Sequence, residues 1–220
     1  ATLAEAKPGM TKTDFAEQLR REETGLGLEF DYCLITFGVE TNRAPSDRAL
    51  EHGDVISVDS GGNFEGYIGD IARMGILGEP DAELEDILAE IDRIQLASFA
   101  PVRAGALAAD LLTAGQDALA ASSIADCTDF VAHGMGLVSH EAPFLMTNSI
   151  YDGIDADRPL EAGMVISVET TASHPRRGFI KLEDTIFVTA DGYELLAPHR
   201  RGWNRAGAAK RTPSRPVSTR

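Results

Sequence analysis

The sequence predicts an α+β fold, and three observations carry that expectation. Element signals run helix, strands, two long helices, then strands again. That order lacks the regular strand–helix alternation of a doubly wound sheet or barrel. Neither a phosphate-binding loop nor a dinucleotide fingerprint is present, and HGMG at 133–136 falls far short of GxGxxG.

The elements follow in order. Thr11-x-x-Asp14 has the spacing of a capping box, and Phe15 and Leu19 lie on one helical face behind it. Tyr32 to Gly38 reads as a strand. Pro45, Ser46 and Asp47 mark a loop before a second strand at Val55–Val58. Gly78-Glu79-Pro80-Asp81 opens a helix whose apolar positions Leu84, Ile87, Leu88, Ile91 and Ile94 keep helical spacing. Pro101 and Gly105 interrupt, and an alanine-rich helix follows to about Ala121. Strands return near Phe130, from Met164 to Thr170 and from Phe179 to Thr189, before a turn at Ala190-Asp191-Gly192. Each half of the chain supplies two acidic positions from paired strands, so the halves look loosely alike without being a sequence repeat.

Composition narrows the class. The 220 residues are 43% hydrophobic and 25% charged, which suits a globular domain with a sizeable core. No apolar run approaches the ~20 residues that span a bilayer, and the start has no signal-peptide pattern, so no membrane partner and a cytoplasmic location are expected. The net charge of −15 is uneven. Seven of the 20 basic residues lie between Arg200 and Arg220, which holds no acid, so the remainder carries 13 basic against 35 acidic residues. A body this acidic repels nucleic acid and attracts cations. Domain organisation is therefore read as a domain over 1–198 and a basic, disordered tail over 199–220. Cys33 and Cys127 form no CxxC pair, and both are expected as small buried apolar residues without a disulfide.

Five residues in four local motifs bear on chemistry. Asp59 and Asp70 lie in VDSGGNFEGYIGDIAR, His133 in HGMGLVSHEAP, Glu169 in GMVISVET and Glu183 in IKLEDT. Four carboxylates and an imidazole suit a pair of hard-to-borderline divalent cations, and two such cations can ionise a shared water. A hairpin turning at Phe64-Glu65 would set Asp59 directly opposite Asp70, with Cα atoms about 5 Å apart. A solvated acidic hairpin is the bland alternative. Glu169 and Glu183 flank apolar strands and need partners, a need that Lys181 could meet. His133 and His140 flank Gly134 and Gly136, where backbone and a ligand could approach closely. His52, His174 and His199 are isolated, so structural or surface roles are expected for them.

Taken together, these motifs resemble the pita-bread (M24) metallopeptidase family, which includes methionine aminopeptidases, Xaa-Pro aminopeptidases, prolidases and creatinase. The resemblance rests on an Asp pair eleven residues apart, HGxGxxxHExP, GMVxxxE and an EDT-type Glu, over roughly Lys7 to Leu196. It implies a curved antiparallel sheet flanked by helices, with pseudo-twofold halves. It further implies two divalent ions (manganese favoured over cobalt, zinc or iron). Asp59 would bind one ion, Asp70 and Glu183 would bridge both, and His133 and Glu169 would serve the second. Glu169 resembles the general base on the bridging water, and His140 a histidine that contacts substrate and steadies the oxyanion.

The GFIKLEDT segment is closer to the Xaa-Pro aminopeptidase and prolidase branch. That resemblance implies hydrolysis of peptide bonds next to proline in a short peptide or dipeptide substrate. Four positions depart from the family pattern: Ser46 stands where a substrate-contacting His is frequent, Asp129 replaces a His four before His133, Thr170 follows Glu169 where the family has Pro, and Lys181 replaces an Arg. Prolidase-type relatives also carry an N-terminal domain that helps them dimerise. Either this sequence is truncated relative to them or the catalytic domain stands alone, and a homodimer is the assembly the resemblance raises. Two other functions stay open: a creatinase-like hydrolase or lyase of a small non-peptide compound, and a pita-bread binding module without catalysis, for which the basic tail is the one support.

Overall fold

A computed structural model describes residues 1–145 and 155–207. Helices α1 (Thr2–Glu5) and α2 (Lys12–Gly25) precede strands β1 (Glu29–Phe37), β2 (Val55–Phe64) and β3 (Tyr67–Ile76). Helices α3 (Ala82–Phe99) and α4 (Ala108–Ala120) follow. Strands β4 (Thr128–Gly134), β5 (Glu141–Leu145), β6 (Val165–His174), β7 (Gly178–Val188), β8 (Tyr193–Leu195) and β9 (Asn204–Arg205) complete the described chain. The order is α+β, as expected.

Local chemistry accounts for the element starts. Thr11 accepts from the Asp14 amide while the Asp14 carboxylate accepts from the Thr11 amide, closing the capping box of α2. Asp81 caps α3 through the Leu84 amide. The apolar stripe of α3 is buried throughout, from Leu84 to Ile94. Strand β1 begins three residues before the expected start, and β2 runs on to Phe64.

The sheet runs β1-β2-β3-β7-β6-β4-β5 among the described residues, with β8 beside β7 and β9 beside β3. Two antiparallel hairpins, β2–β3 and β6–β7, meet at its centre where Ala72 pairs with Glu183. Helices α1 and α2 cover the first half through Phe15, Ile35, Phe37 and Ile56. Helices α3 and α4 cover the second through Ile94, Phe99, Leu111, Phe130, Ile166 and Val168. Strand alternation then separates two faces. On β6 and β7, Ile166, Val168, Ile180, Leu182 and Ile186 enter the helix-side core, while Ser167, Glu169, Lys181, Glu183 and Thr185 take the opposite face.

Three expectations are corrected. The β2–β3 hairpin turns at Glu65-Gly66, not Phe64-Glu65, so Asp59 pairs with Ala72 and Asp70 with Gly61. Both turn residues have positive φ, 52° and 93°, as a two-residue turn of matching twist requires. The two aspartates therefore sit diagonally on one face rather than directly opposed. Second, residues 200–207 are packed against the domain, past the boundary expected at 198. Arg201 Nε donates to Asp92 at 2.8 Å, the Trp203 indole donates to the Leu84 carbonyl at 3.3 Å, and β9 pairs in parallel with β3. Individual anchor side chains do this without apolar periodicity. The rest of the basic tail lies outside the described residues. Third, Cys33 is buried but Cys127 is only half-buried; both are free. No helix among the described residues is long and apolar enough to cross a membrane.

Candidate metal centre

Each of the five expected residues reaches one place through strand register. Glu169 and Glu183 are direct partners across β6–β7, and His133 on β4 pairs with Ser167, two residues before Glu169. Asp70 on β3 stands two residues before Ala72, the partner of both Glu183 and Asp59. Three overlapping triplets bring their donor atoms within 4.8 Å of one another: Asp59–Glu169–Glu183, Asp70–His133–Glu183 and His133–His140–Glu169. Asp59, Asp70, His133 and Glu183 are buried, whereas Glu169 is half-buried and His140 is exposed. Solvent therefore reaches the cluster from the Glu169–His140 side.

Partners fix these side chains. His133 Nδ1 lies 3.2 Å from the Gly134 carbonyl, which can only accept, so Nδ1 carries a proton, and Nε2 faces Glu169 Oε1 at 3.6 Å and Glu183 Oε1 at 3.9 Å. The His140 ring stacks on His133, with centroids 4.0 Å apart and planes 18° from parallel. Ser167 Oγ donates to Glu183 Oε1 at 2.7 Å. The Tyr32 hydroxyl donates to Asp70, and Thr185 Oγ1 donates to the Asp70 carbonyl at 2.7 Å. Arg43, whose guanidinium lies 4.9 Å over the Phe179 ring, donates to Asp59. Lys181 Nζ is 2.5 Å from Asp59 Oδ2, 2.5 Å from Glu169 Oε2 and 2.8 Å from Glu183 Oε2.

The electrostatics are those of carboxylates crowded without enough cations. Burial, then the charges of Glu183 and Asp59, push the Asp70 carboxyl up to about 9. Burial likewise raises Glu183 to about 7, with Glu169 and Asp59 adding to it against the pull of Lys181. Burial also acts to raise Glu169, but His133 and Lys181 outweigh it and hold that carboxyl at about 2. Burial and neighbouring His133 lower His140 below its ordinary value, so its imidazole is neutral at pH 7. Burial pushes the Lys181 ammonium toward neutrality, but three carboxylates overcome this and raise its pKa.

The donor set fits divalent ions. Asp59 Oδ1, His133 Nε2 and Glu183 Oε2 are buried side-chain atoms with no hydrogen-bond partner, and all three residues belong to the triplets. Leaving such atoms bare costs about 1–3 kcal/mol each, a cost that coordination would remove. The structure brings together all five residues expected from the sequence, and His140 with them. Sequence reasoning missed Tyr32, Arg43 and Ser167, and it assigned Lys181 one carboxylate where it touches three. Tyr32 shows itself only in the structure, where its ring passes over Gly61 so closely that any Cβ would collide with it. Ser167 was legible as a polar residue two positions from Glu169 within a buried strand.

The sequence matches metallopeptidase family M24 over residues 1–190. The chain belongs to metallopeptidase family M24. It is 31% identical over 191 residues to a probable dipeptidase PepE of Mycobacterium bovis, covering 84% of this chain and 49% of that one. It is 29% identical over 157 residues to the Xaa-Pro dipeptidase of Pyrococcus horikoshii, covering 71% and 43%. The X-Pro aminopeptidase of Thermotoga maritima superposes with a TM-score of 0.84 at 23% identity, over 93% of this chain and 58% of that one. The chain spans about half the length of the curated relatives it matches. As an M24 chain it has the expected pita-bread fold, and membership implies divalent metal ions, for which the orphaned donors above are candidates.

Proposed function

We propose that the chain is the catalytic part of a metallopeptidase that cleaves next to proline, as an Xaa-Pro aminopeptidase or Xaa-Pro dipeptidase, with two divalent ions. The observation that carries this reading is the convergence of four carboxylates and His133 on one place, with three buried donor atoms left without a hydrogen bond. Asp59 would hold one ion, Asp70 and Glu183 both, and His133 and Glu169 the other. Two bound divalent ions acidify a water and polarise a carbonyl.

The side chains account for the remaining steps. Glu169 is ionised at neutral pH and lies on the solvent side of the cluster, where it accepts the proton of the attacking water. His140, neutral and fixed by its stack on His133, donates an N–H toward the oxyanion that develops on the scissile carbonyl. Tyr32 and Ser167 keep the Asp70 and Glu183 carboxylates in place. A short peptide approaching from the His140 side reaches Glu169 before the deeper carboxylates. The prolyl nitrogen of such a substrate carries no N–H, so its scissile bond is recognised by shape and ring contact. Relatives named as dipeptidases and Xaa-Pro dipeptidases support this substrate class, and manganese is the ion we favour.

The test is elemental analysis of the chain equilibrated with excess manganese, for the wild type and Asp70→Ala, followed by a panel of Xaa-Pro dipeptides and longer peptides. About two ions per chain, largely lost in the variant, with release of the residue before proline, is the expected result. A folded protein that takes up no metal would sink the reading.

A further inference from the structure

The two hairpins that carry the candidate ligands are joined by little backbone. Ala72 and Glu183 are the only residues paired across β3 and β7 among the described residues, yet two of the three ligand triplets draw on both hairpins. The width of this seam therefore sets how far Asp59 and Asp70 stand from Glu169 and Glu183. Resting on the metallopeptidase reading, we propose that Arg73 and segment 197–205 form a clasp behind the seam, a set of positioning residues whose closure is coupled to metal binding.

Arg73 is the centre of the clasp. It pairs on the helix side with Val58, a member of the core under α2, and is 8% exposed. A guanidinium has five N–H donors in a fixed fork, and here all five are used. Nη1 donates to the carbonyls of Ala72 and Glu183 at 2.9 and 2.8 Å, so one nitrogen bridges the single residue pair of the seam. Nη2 donates to Asp184 Oδ1 at 2.5 Å and to the Ala197 carbonyl at 2.6 Å, and Nε donates to the His199 carbonyl at 3.0 Å. Two of these acceptors belong to the C-terminal segment, and one is the backbone of a candidate metal ligand.

The segment closes the other side. Asp184, the neighbour of Glu183, is wholly buried, and its second oxygen faces Arg201. Arg201 is held in turn by Asp92 on α3 at 2.8 Å, and Asn204 donates to the Met74 carbonyl of β3 at 2.9 Å. A buried carboxylate between two guanidiniums is costly to leave half-paired, so withdrawing one member displaces the others. With Arg201 and the two carbonyls gone, Arg73 turns toward water, the seam loses its bridge, and Glu183 shifts relative to Asp70. Such coupling is reciprocal. Whatever fixes the seam from the opposite face, as an ion bound by both hairpins would, favours the closed segment by the same factor.

Two measurements on the full chain test this, with manganese chloride as the probe. In calorimetric titration, Arg201→Met should bind the ion about tenfold more weakly than the wild type while still unfolding cooperatively. Arg73→Lys should do no better, because three ammonium donors cannot meet five acceptors. Hydrogen exchange of the wild type should slow by about tenfold in segment 197–205 at saturating manganese. No comparable change is expected in α2, which packs on β1 away from the seam. This second measurement needs no variant to fold. Wild-type affinity in folded Arg201→Met, or exchange in 197–205 slowed no more than in α2, marks a merely structural strap and overturns the inference while the metallopeptidase reading stands. A wild type that takes up no manganese removes both.

Discussion

The two hairpins that build the centre do similar work by different geometry. In β6–β7 the carboxylates of Glu169 and Glu183 are direct cross-strand partners, with Lys181 beside them on the same face. In β2–β3 the carboxylates of Asp59 and Asp70 are offset by two residues and are steadied from outside the hairpin, by Arg43 and Tyr32. A directly opposed acid pair needs a cation close at hand, because like charges across a strand pair repel. An offset pair can be satisfied by separate neighbours. The first hairpin therefore depends on its surroundings, and the second carries its own counter-charge.

Breaking the second hairpin should cost most. Glu183→Ala removes the carboxylate common to two triplets, and loss of both ions with a fall of at least about 10³-fold in kcat/KM on an Xaa-Pro dipeptide is expected. Elemental analysis beside steady-state kinetics checks this. Asp59→Ala in the first hairpin should spare one ion. His140 belongs to neither hairpin, so His140→Ala should leave metal content unchanged while kcat falls by about 10²–10³-fold with little change in KM.

The supporting hydroxyls sharpen the contrast. Tyr32→Phe and Ser167→Ala each remove one donor to a candidate ligand, and each should weaken manganese binding by about tenfold to a hundredfold. The Ser167 variant should be the worse of the two, since Glu183 is the more deeply buried carboxylate. Competition against a metallochromic indicator would rank them; an equal or reversed order would erase the distinction.

The smallest effect expected is on stability against pH. In the metal-free protein Asp70 and Glu183 have pKa values raised to about 9 and about 7, above the ordinary 3.8 and 4.5. The folded state then holds protons that the unfolded state releases, so this stability is present below pH 4 and is lost as pH rises through 7 and 9. Glu169, lowered to about 2, acts oppositely and loses its contribution only as pH falls from about 4.5 toward 2. Metal-free Tm should therefore drift down between pH 6 and 9, and saturating manganese should abolish the drift. Differential scanning calorimetry with and without the ion measures it.

Much of this was legible beforehand because the motifs are local. Asp59, Asp70, His133, Glu169 and Glu183 each sit in a short run whose strand period shows which face they take. The α3 stripe from Leu84 to Ile94 was readable for the same reason. What escaped detection depends on distances in space. Arg43 reaches Asp59 from a loop, and Arg201 reaches Asp92 from 109 positions away. The hairpin register was misread by one turn position because both Phe64-Glu65 and Glu65-Gly66 are plausible pairs of letters. Only the positive φ at Glu65 and Gly66 selects between them.

Strand β7 has a consequence for how the lineage can vary. Its odd positions, Lys181, Glu183 and Thr185, face the carboxylate cluster, and its even positions Ile180, Leu182 and Ile186 fill the hydrophobic interior beside Asp184, which is paired there with Arg73 and Arg201. Inserting or deleting one residue within this strand would exchange the two sets, driving Lys181 and Glu183 into the helix-side core and isoleucines into the carboxylate cluster. Descendants of this sequence can therefore replace residues here but not change their number, and length variation is confined to the turn between His174 and Gly178, outside the paired stretch.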